Sequence, residues 1–218
     1  MSQQKSDYVD DAEIDPTLDE LADDDTLEET VANLEANGFE VEVVDTADEA
    51  LDTLTAHIPA GASVMNGHST TLEEVGFVDY LGEGDHDWES LPAEIWSIDD
   101  DEKRQAARRE SQTADYFLGG INAISETGEL VAADRSGSRI GAYPFAASNV
   151  VIVSGTNKIV PTLEDAFDRL ESVAYPLENE RAQEAYGVES EIAKQLVFRQ
   201  ELEEGRTTVV LVREALGY

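Results

Sequence analysis

Residues Asp115–Lys158 read DYFLGGINAISETGELVAADRSGSRIGAYPFAASNVVIVSGTNK. Two apolar runs in this stretch, Tyr116–Leu118 and Val150–Val153, each break into a polar loop that carries glycine. The loops are Gly119-Gly120-Ile121-Asn122 and Gly155-Thr156-Asn157-Lys158. In an α/β domain, loops that leave a strand in this way lie at the carboxyl edge of the sheet, where ligands bind. Between them, Ser125, Glu126 and Thr127 precede Gly128, which can turn the chain into the next strand. Ordinary turn chemistry accounts for these residues as well as a ligand site does. The Asp134–Arg139 loop is equally rich in hydrogen-bonding groups, but it lacks the spacing of a P-loop.

Upstream, Thr26-Leu27-Glu28-Glu29 reads as a capping box that opens a helix with Leu27, Val31 and Leu34 on one face, stopped by Asn37-Gly38. Phe39–Val44 alternates as a strand, and Thr46–Glu49 opens a second helix that ends at Pro59 and Gly61. Ser63–Met65 is a further strand, and Thr70–Glu73 repeats the capping signature after Gly67-His68-Ser69. This βαβα start implies a parallel sheet. Gly67, Ser69, Thr70 and Thr71 form either a simple helix cap or an anion site made of N–H groups and hydroxyls.

Three segments resemble the LUD domain of lactate-utilisation proteins: Gly120–Leu130, the Asp134…Gly137-Ser138-Arg139 loop, and Gly155–Val160. Val64–Gly76 resembles that family's first glycine-and-hydroxyl segment, and the likeness runs from Thr26 to Tyr218. It implies a fold like that of ribose-5-phosphate isomerase and the CoA transferases. The implied role is as an accessory subunit in oxidation of lactate or a related hydroxy acid, with iron–sulfur clusters on partner chains. Some members carry a cysteine cluster near the C-terminus, where Ala185–Lys194 has none. Ser125-Glu126-Thr127-Gly128 also resembles the S-E-N-G segment of family I CoA transferases, in which glutamate is the nucleophile. An acyl or CoA transferase using Glu126 is therefore an alternative, as is a metabolite-binding regulator without catalysis.

Composition narrows these choices. Asp and Glu number 49 against 14 Lys and Arg, a formal charge of −35 spread along 218 residues. Such a chain repels itself in dilute buffer, and salt relieves the repulsion. A salt-rich cytoplasm is the expected setting, and binding to nucleic acid or an anionic membrane is disfavoured. The absence of cysteine removes disulfides, thiolate catalysis and Cys-ligated clusters from this chain. His57, His68 and His86 show no metal-ligand spacing, so neither zinc nor an intrinsic iron–sulfur cluster is expected. The Lys103–Arg109 patch pairs internally or meets an anionic group, and Trp88 and Trp96 read as packing residues.

The chain therefore reads as an acidic flexible tail over 1–25, followed by one α/β domain over 26–218 with a largely parallel sheet flanked by helices. Gly82–Trp88 is expected to be a loop, and the segments around Leu196–Gln200 and Thr207–Val212 to form a C-terminal hairpin. The expected cleft is lined by Gly67–Thr71, Gly119–Gly128, Asp134–Arg139 and Gly155–Lys158. Within it, Gly67, Ser69, Thr70, Thr71, Gly120 and Asn122 are ligand-binding candidates, joined by Ser125, Thr127, Gly128, Asp134 and Arg139. Gly155, Asn157 and Lys158 complete the set, with Glu126 as the candidate catalytic residue. The ligand is expected to be a small anionic metabolite.

Overall fold

The structure is a computed structural model that describes residues 4–84 and 86–218. Its strands are β1 Glu40–Val44, β2 Ser63–Asn66, β3 Glu89–Ser90, β4 Tyr116–Gly120, β5 Ala123–Ser125, β6 Leu130–Asp134, β7 Asn149–Gly155, β8 Ile159–Val160, β9 Lys194–Phe198 and β10 Thr207–Val212. Six of them form a sheet in the order β1-β10-β7-β4-β2-β3, with every neighbouring pair parallel. Side-chain alternation explains the burial. Val150 and Ile152 of β7 join Phe117, Val209 and Leu211 in one core, whereas Val151 and Val153 join Leu118, Val210 and Val212 in another. A strand covered on both faces must be apolar at every position, so these runs show no polar alternation.

The helices are α1 Asp24–Ala36, α2 Ala47–His57, α3 Thr70–Glu74, α4 Phe77–Glu83, α5 Leu91–Trp96, α6 Asp101–Glu110, α7 Leu163–Arg169 and α8 Tyr175–Tyr186. Leu54, Leu72 and Phe77 bring α2, α3 and α4 onto the Val151 face. The opposite face is covered by α1, through Leu27 and Leu34, and by a second sheet in the order β8-β5-β6-β9, through Ile124, Leu130 and Phe198. The helix starting at α7 packs Ala166, Leu170 and Ala174 on the outer side of that sheet. The expected helices on both faces are thus joined on one face by a small sheet.

Thr46 caps α2 by accepting from the Glu49 N–H at 3.2 Å, and Thr162 and Asp165 cap α7 reciprocally. Two other caps lie one position or more upstream of the expected threonine. Asp23 caps α1 by accepting from the Thr26 N–H at 2.8 Å, and Ser69 caps α3 by accepting from the Leu72 N–H at 3.2 Å. Aspartate and serine satisfy helix N–H groups better than threonine does.

Three expectations are corrected. The C-terminal strands do not form a hairpin: β9 pairs antiparallel with β6, whereas β10 lies between β1 and β7 in the parallel sheet. All of β10 is buried, so it needs partners on both edges, which a terminal hairpin would not supply. Residues 4–25 are not a free tail. Tyr8 packs with Val173 and Leu177, and Asp19 accepts from Arg169 at 2.7 Å and Asn157 at 2.8 Å. A buried arginine requires a counter-charge, and this segment supplies it. The expected loop at Gly82–Trp88 starts within α4; Asp85, like Met1–Gln3 of the expected tail, lies outside the described residues.

Candidate functional site

The carboxyl ends of β2 and β4 open into a cavity of about 700 Å³. Adjacent parallel strands leave a gap at this edge where their chains depart in different directions. Gly67, Ser69 and Thr70 line it after β2, Gly120 at the end of β4 with Asn122 just beyond, and Asp134 at the end of β6 with Arg139 in the following loop. A Cβ on Gly67 would lie 2.9 Å from Cγ of Arg139, and one on Gly120 would lie 2.6 Å from Oγ of Ser69. A side chain at either position would force its neighbour to shift, because the loops meet here.

Arg139 is held by the wall itself. Its Nε donates to Asp134 at 3.2 Å, Nη1 to the Gly120 carbonyl at 3.3 Å, and Nη2 to the Ala133 carbonyl at 2.7 Å and Asn122 Oδ1 at 3.1 Å. Burial works against its charge, but Tyr143 and Asp134 keep its pKa raised, so it stays a guanidinium. Asn122 Oδ1 also accepts from the Ala133 N–H at 2.9 Å. With two donors on the oxygen, the amide orientation is settled by chemistry. Its Nδ2 has no protein partner among the described residues, so two N–H groups remain for a ligand, beside one hydrogen of Arg139 Nη1.

Across the cavity, α8 contributes Glu178 and Arg181, paired at 2.7 Å, and Tyr218 donates its hydroxyl to Glu178 at 3.1 Å. Burial works to raise the Glu178 pKa, but Arg181, His68 and the Tyr218 hydroxyl hold it below the usual carboxylate range. His68 lines the same space, 3.5 Å from Glu73. Although 40% of its side chain is accessible, the surrounding cleft lowers its pKa to about 4, chiefly by burial and then through Arg181. At neutral pH it is an uncharged imidazole able to accept a hydrogen bond.

Among the described residues, the four wall arginines, Arg108, Arg135, Arg139 and Arg181, match the four wall acids, Glu73, Asp134, Glu178 and Glu191. A cleft with balanced charge in a chain of −35 is a place where an anion meets least repulsion.

The other expected site residues lie elsewhere. Ser125 and Thr127 donate to Glu129 at 2.6 and 2.5 Å, and Glu129 pairs with Arg199 at 2.9 Å. Asn33 of α1 and Asn37, which follows its last turn, hold the carbonyls of Glu126 and Gly128 at 2.7 and 3.1 Å. This turn therefore belongs to the packing of the second sheet on α1, and Glu126 is not in the cavity wall. Gly155, Asn157 and Lys158 also fall outside the wall. Asn157 clasps Leu216 and Asp19 at 3.1 and 2.8 Å. Lys158 is fully buried and donates to Thr71 at 2.8 Å, Ile121 O at 3.1 Å and Tyr218 O at 3.3 Å, which also places Thr71 behind the wall. The expected four-segment cleft is thus built from Gly67–Thr70, Gly120, Asn122 and Asp134–Arg139, completed by α5, α6 and α8.

His68 lies in the expected Gly67–Thr71 segment, although the sequence gives it no ligand-binding role, whereas Glu178, Arg181 and Tyr218 carry no local signal: an i,i+3 pair such as Glu178–Arg181 looks like any surface helix pair.

A family model described as the LUD domain matches residues 27–212. A solved DUF162 family protein from Deinococcus radiodurans superposes with a TM-score of 0.50 at 14% identity, covering 88% of this chain and 99% of that one. Ribose 5-phosphate isomerase A from Neisseria gonorrhoeae gives 0.32 at 10% identity, covering 66% and 57%. No curated protein matches the chain.

Proposed function

Because the chain belongs to the LUD domain family, we propose that it is a lactate-utilisation protein whose cleft binds the carboxylate of lactate or a related hydroxy acid. The observation that carries this reading is the arrangement of Asn122 and Arg139, whose remaining N–H groups are presented at the cavity wall. Carboxylates are recognised by such charge-assisted donors. The neutral imidazole of His68 supplies an acceptor for the substrate hydroxyl.

Oxidation of a hydroxy acid to a keto acid releases two electrons and two protons. These 218 residues contain no cysteine to ligate a cluster, so in this reading the electrons pass to iron–sulfur partner chains and this chain acts as an accessory subunit. The transferase reading draws no support from the placement of Glu126, which leaves a ligand in the cavity without that nucleophile.

Calorimetry of the full chain in molar KCl tests the proposal. Lactate should bind the native protein, and Asn122→Asp, which replaces two N–H donors by a carboxylate of the same shape, should weaken it by about tenfold or more. Equal affinity in the two proteins would overturn the assignment.

A further inference from the structure

We propose that the cleft holds a second subsite, beneath α5 and α6, for a phosphorylated aromatic ligand of the nucleotide class. Three observations lead there, of which the first rests on the hydroxy-acid reading of the cleft. A cavity of about 700 Å³ falls within the range that takes drug-sized ligands or cofactors, and a small hydroxy acid would fill only a fraction of it.

Arg108 of α6 is the second observation. It is half-buried and lines the cavity. Of the other wall arginines, Arg135 meets Glu191 at 3.9 Å, Arg139 meets Asp134 at 3.2 Å and Arg181 meets Glu178 at 2.7 Å. Arg108 pairs with no carboxylate among the described residues; Gln105 Oε1, at 3.5 Å, is at the limit of a hydrogen bond. With 49 acidic residues in the chain, an arginine kept without a counter-charge in a concave wall is set to receive one from outside.

Trp96 of α5 is the third. Trp88 is a packing residue, as expected: it contacts Phe77, Tyr80 and His86 and donates to the Ile58 carbonyl at 3.1 Å. Trp96 is not. It is 73% exposed, makes no ring contact among the described residues, and lines the cavity with Pro92 and Ile95. An exposed indole on a cavity wall is a platform for a planar ring. Arg108 and Trp96 thus supply a phosphate anchor and a ring platform on consecutive helices of one wall. A purine nucleotide carries both groups, either free or as part of a larger cofactor.

Adenosine 5′-monophosphate is the probe, titrated into the full chain in molar KCl while tryptophan fluorescence and heat are followed. Adenosine and inorganic phosphate serve as single-group controls, with NAD and coenzyme A as the larger sources of the same chemistry. We expect the monophosphate to bind more tightly than either control. Arg108→Gln should weaken it by about tenfold or more without changing adenosine binding. Trp96→Phe, at an exposed position, should fold normally, abolish the fluorescence response and weaken the monophosphate and adenosine alike. Absence of binding by all the nucleotides, or unchanged affinity in Arg108→Gln, would overturn the proposal. Trp96→Phe should keep the native affinity for lactate, whereas Asn122→Asp should lose lactate and keep the nucleotide, so either site fails or survives without the other.

Discussion

The ammonium group of Lys158 donates to the hydroxyl of Thr71 at 2.8 Å, so the basic residue of the Gly155–Lys158 loop points inward, behind the cavity wall. Burial, with Arg169 and Lys5 nearby, pulls its pKa well below the usual lysine value. The Thr71 hydroxyl and the carbonyls of Ile121 and Tyr218 surround its nitrogen within hydrogen-bond distance. It acts as a strut between α3, the segment just after β4 and Tyr218.

Lys158→Ala should therefore act on stability. It leaves a void and removes donors from three acceptors, an expected loss of about 2–5 kcal/mol. Urea unfolding would measure this, with lactate titrated into the folded variant. A stable variant with weakened lactate binding would place Lys158 in the ligand site instead.

His68 predicts a pH effect. Its folded pKa of about 4 lies below its ordinary 6.5, so between those values the unfolded chain binds more protons than the folded one. Stability contributed by the neutral imidazole is present above pH 6.5 and is lost as pH falls toward 4. His68→Gln removes the titration, and its stability should fall less over that window. Parallel profiles for variant and native protein in urea unfolding would refute this.

Asp19 and Arg169 are paired at 2.7 Å, with Arg169 fully buried and its pKa lowered to about 10 by burial, against the pull of Asp19. Asp19→Asn removes the counter-charge of a buried guanidinium, which costs about 3–5 kcal/mol. Faster proteolysis within residues 4–25 and a lower melting temperature are expected. A native melting temperature would show that the N-terminal segment is not needed to balance the charge.

The charge of −35 predicts a dependence of folding on salt. The Debye length falls from about 10 Å at 0.1 M to about 3 Å at 1 M, so molar KCl should raise the melting temperature followed by circular dichroism. An equal melting temperature in dilute buffer would count against adaptation to a salt-rich setting.

Local sequence determined the elements. The apolar runs at Tyr116 and Val150 became β4 and β7, Thr46 and Thr162 capped α2 and α7, and the glycines after β2 and β4 marked the edge where the cleft opens. These features follow from periodicities and caps that span only a few residues. Tertiary structure alone decided that β9 and β10 part into different sheets, that Lys158 turns inward and that Asp19 reaches Arg169 across 150 positions. It also decided that Arg108, one base in a run of them, faces a cavity with no carboxylate partner among the described residues. Strand pairing and charge balance are set by neighbours in space, and residues distant in the chain carry no local mark of which neighbour each will meet.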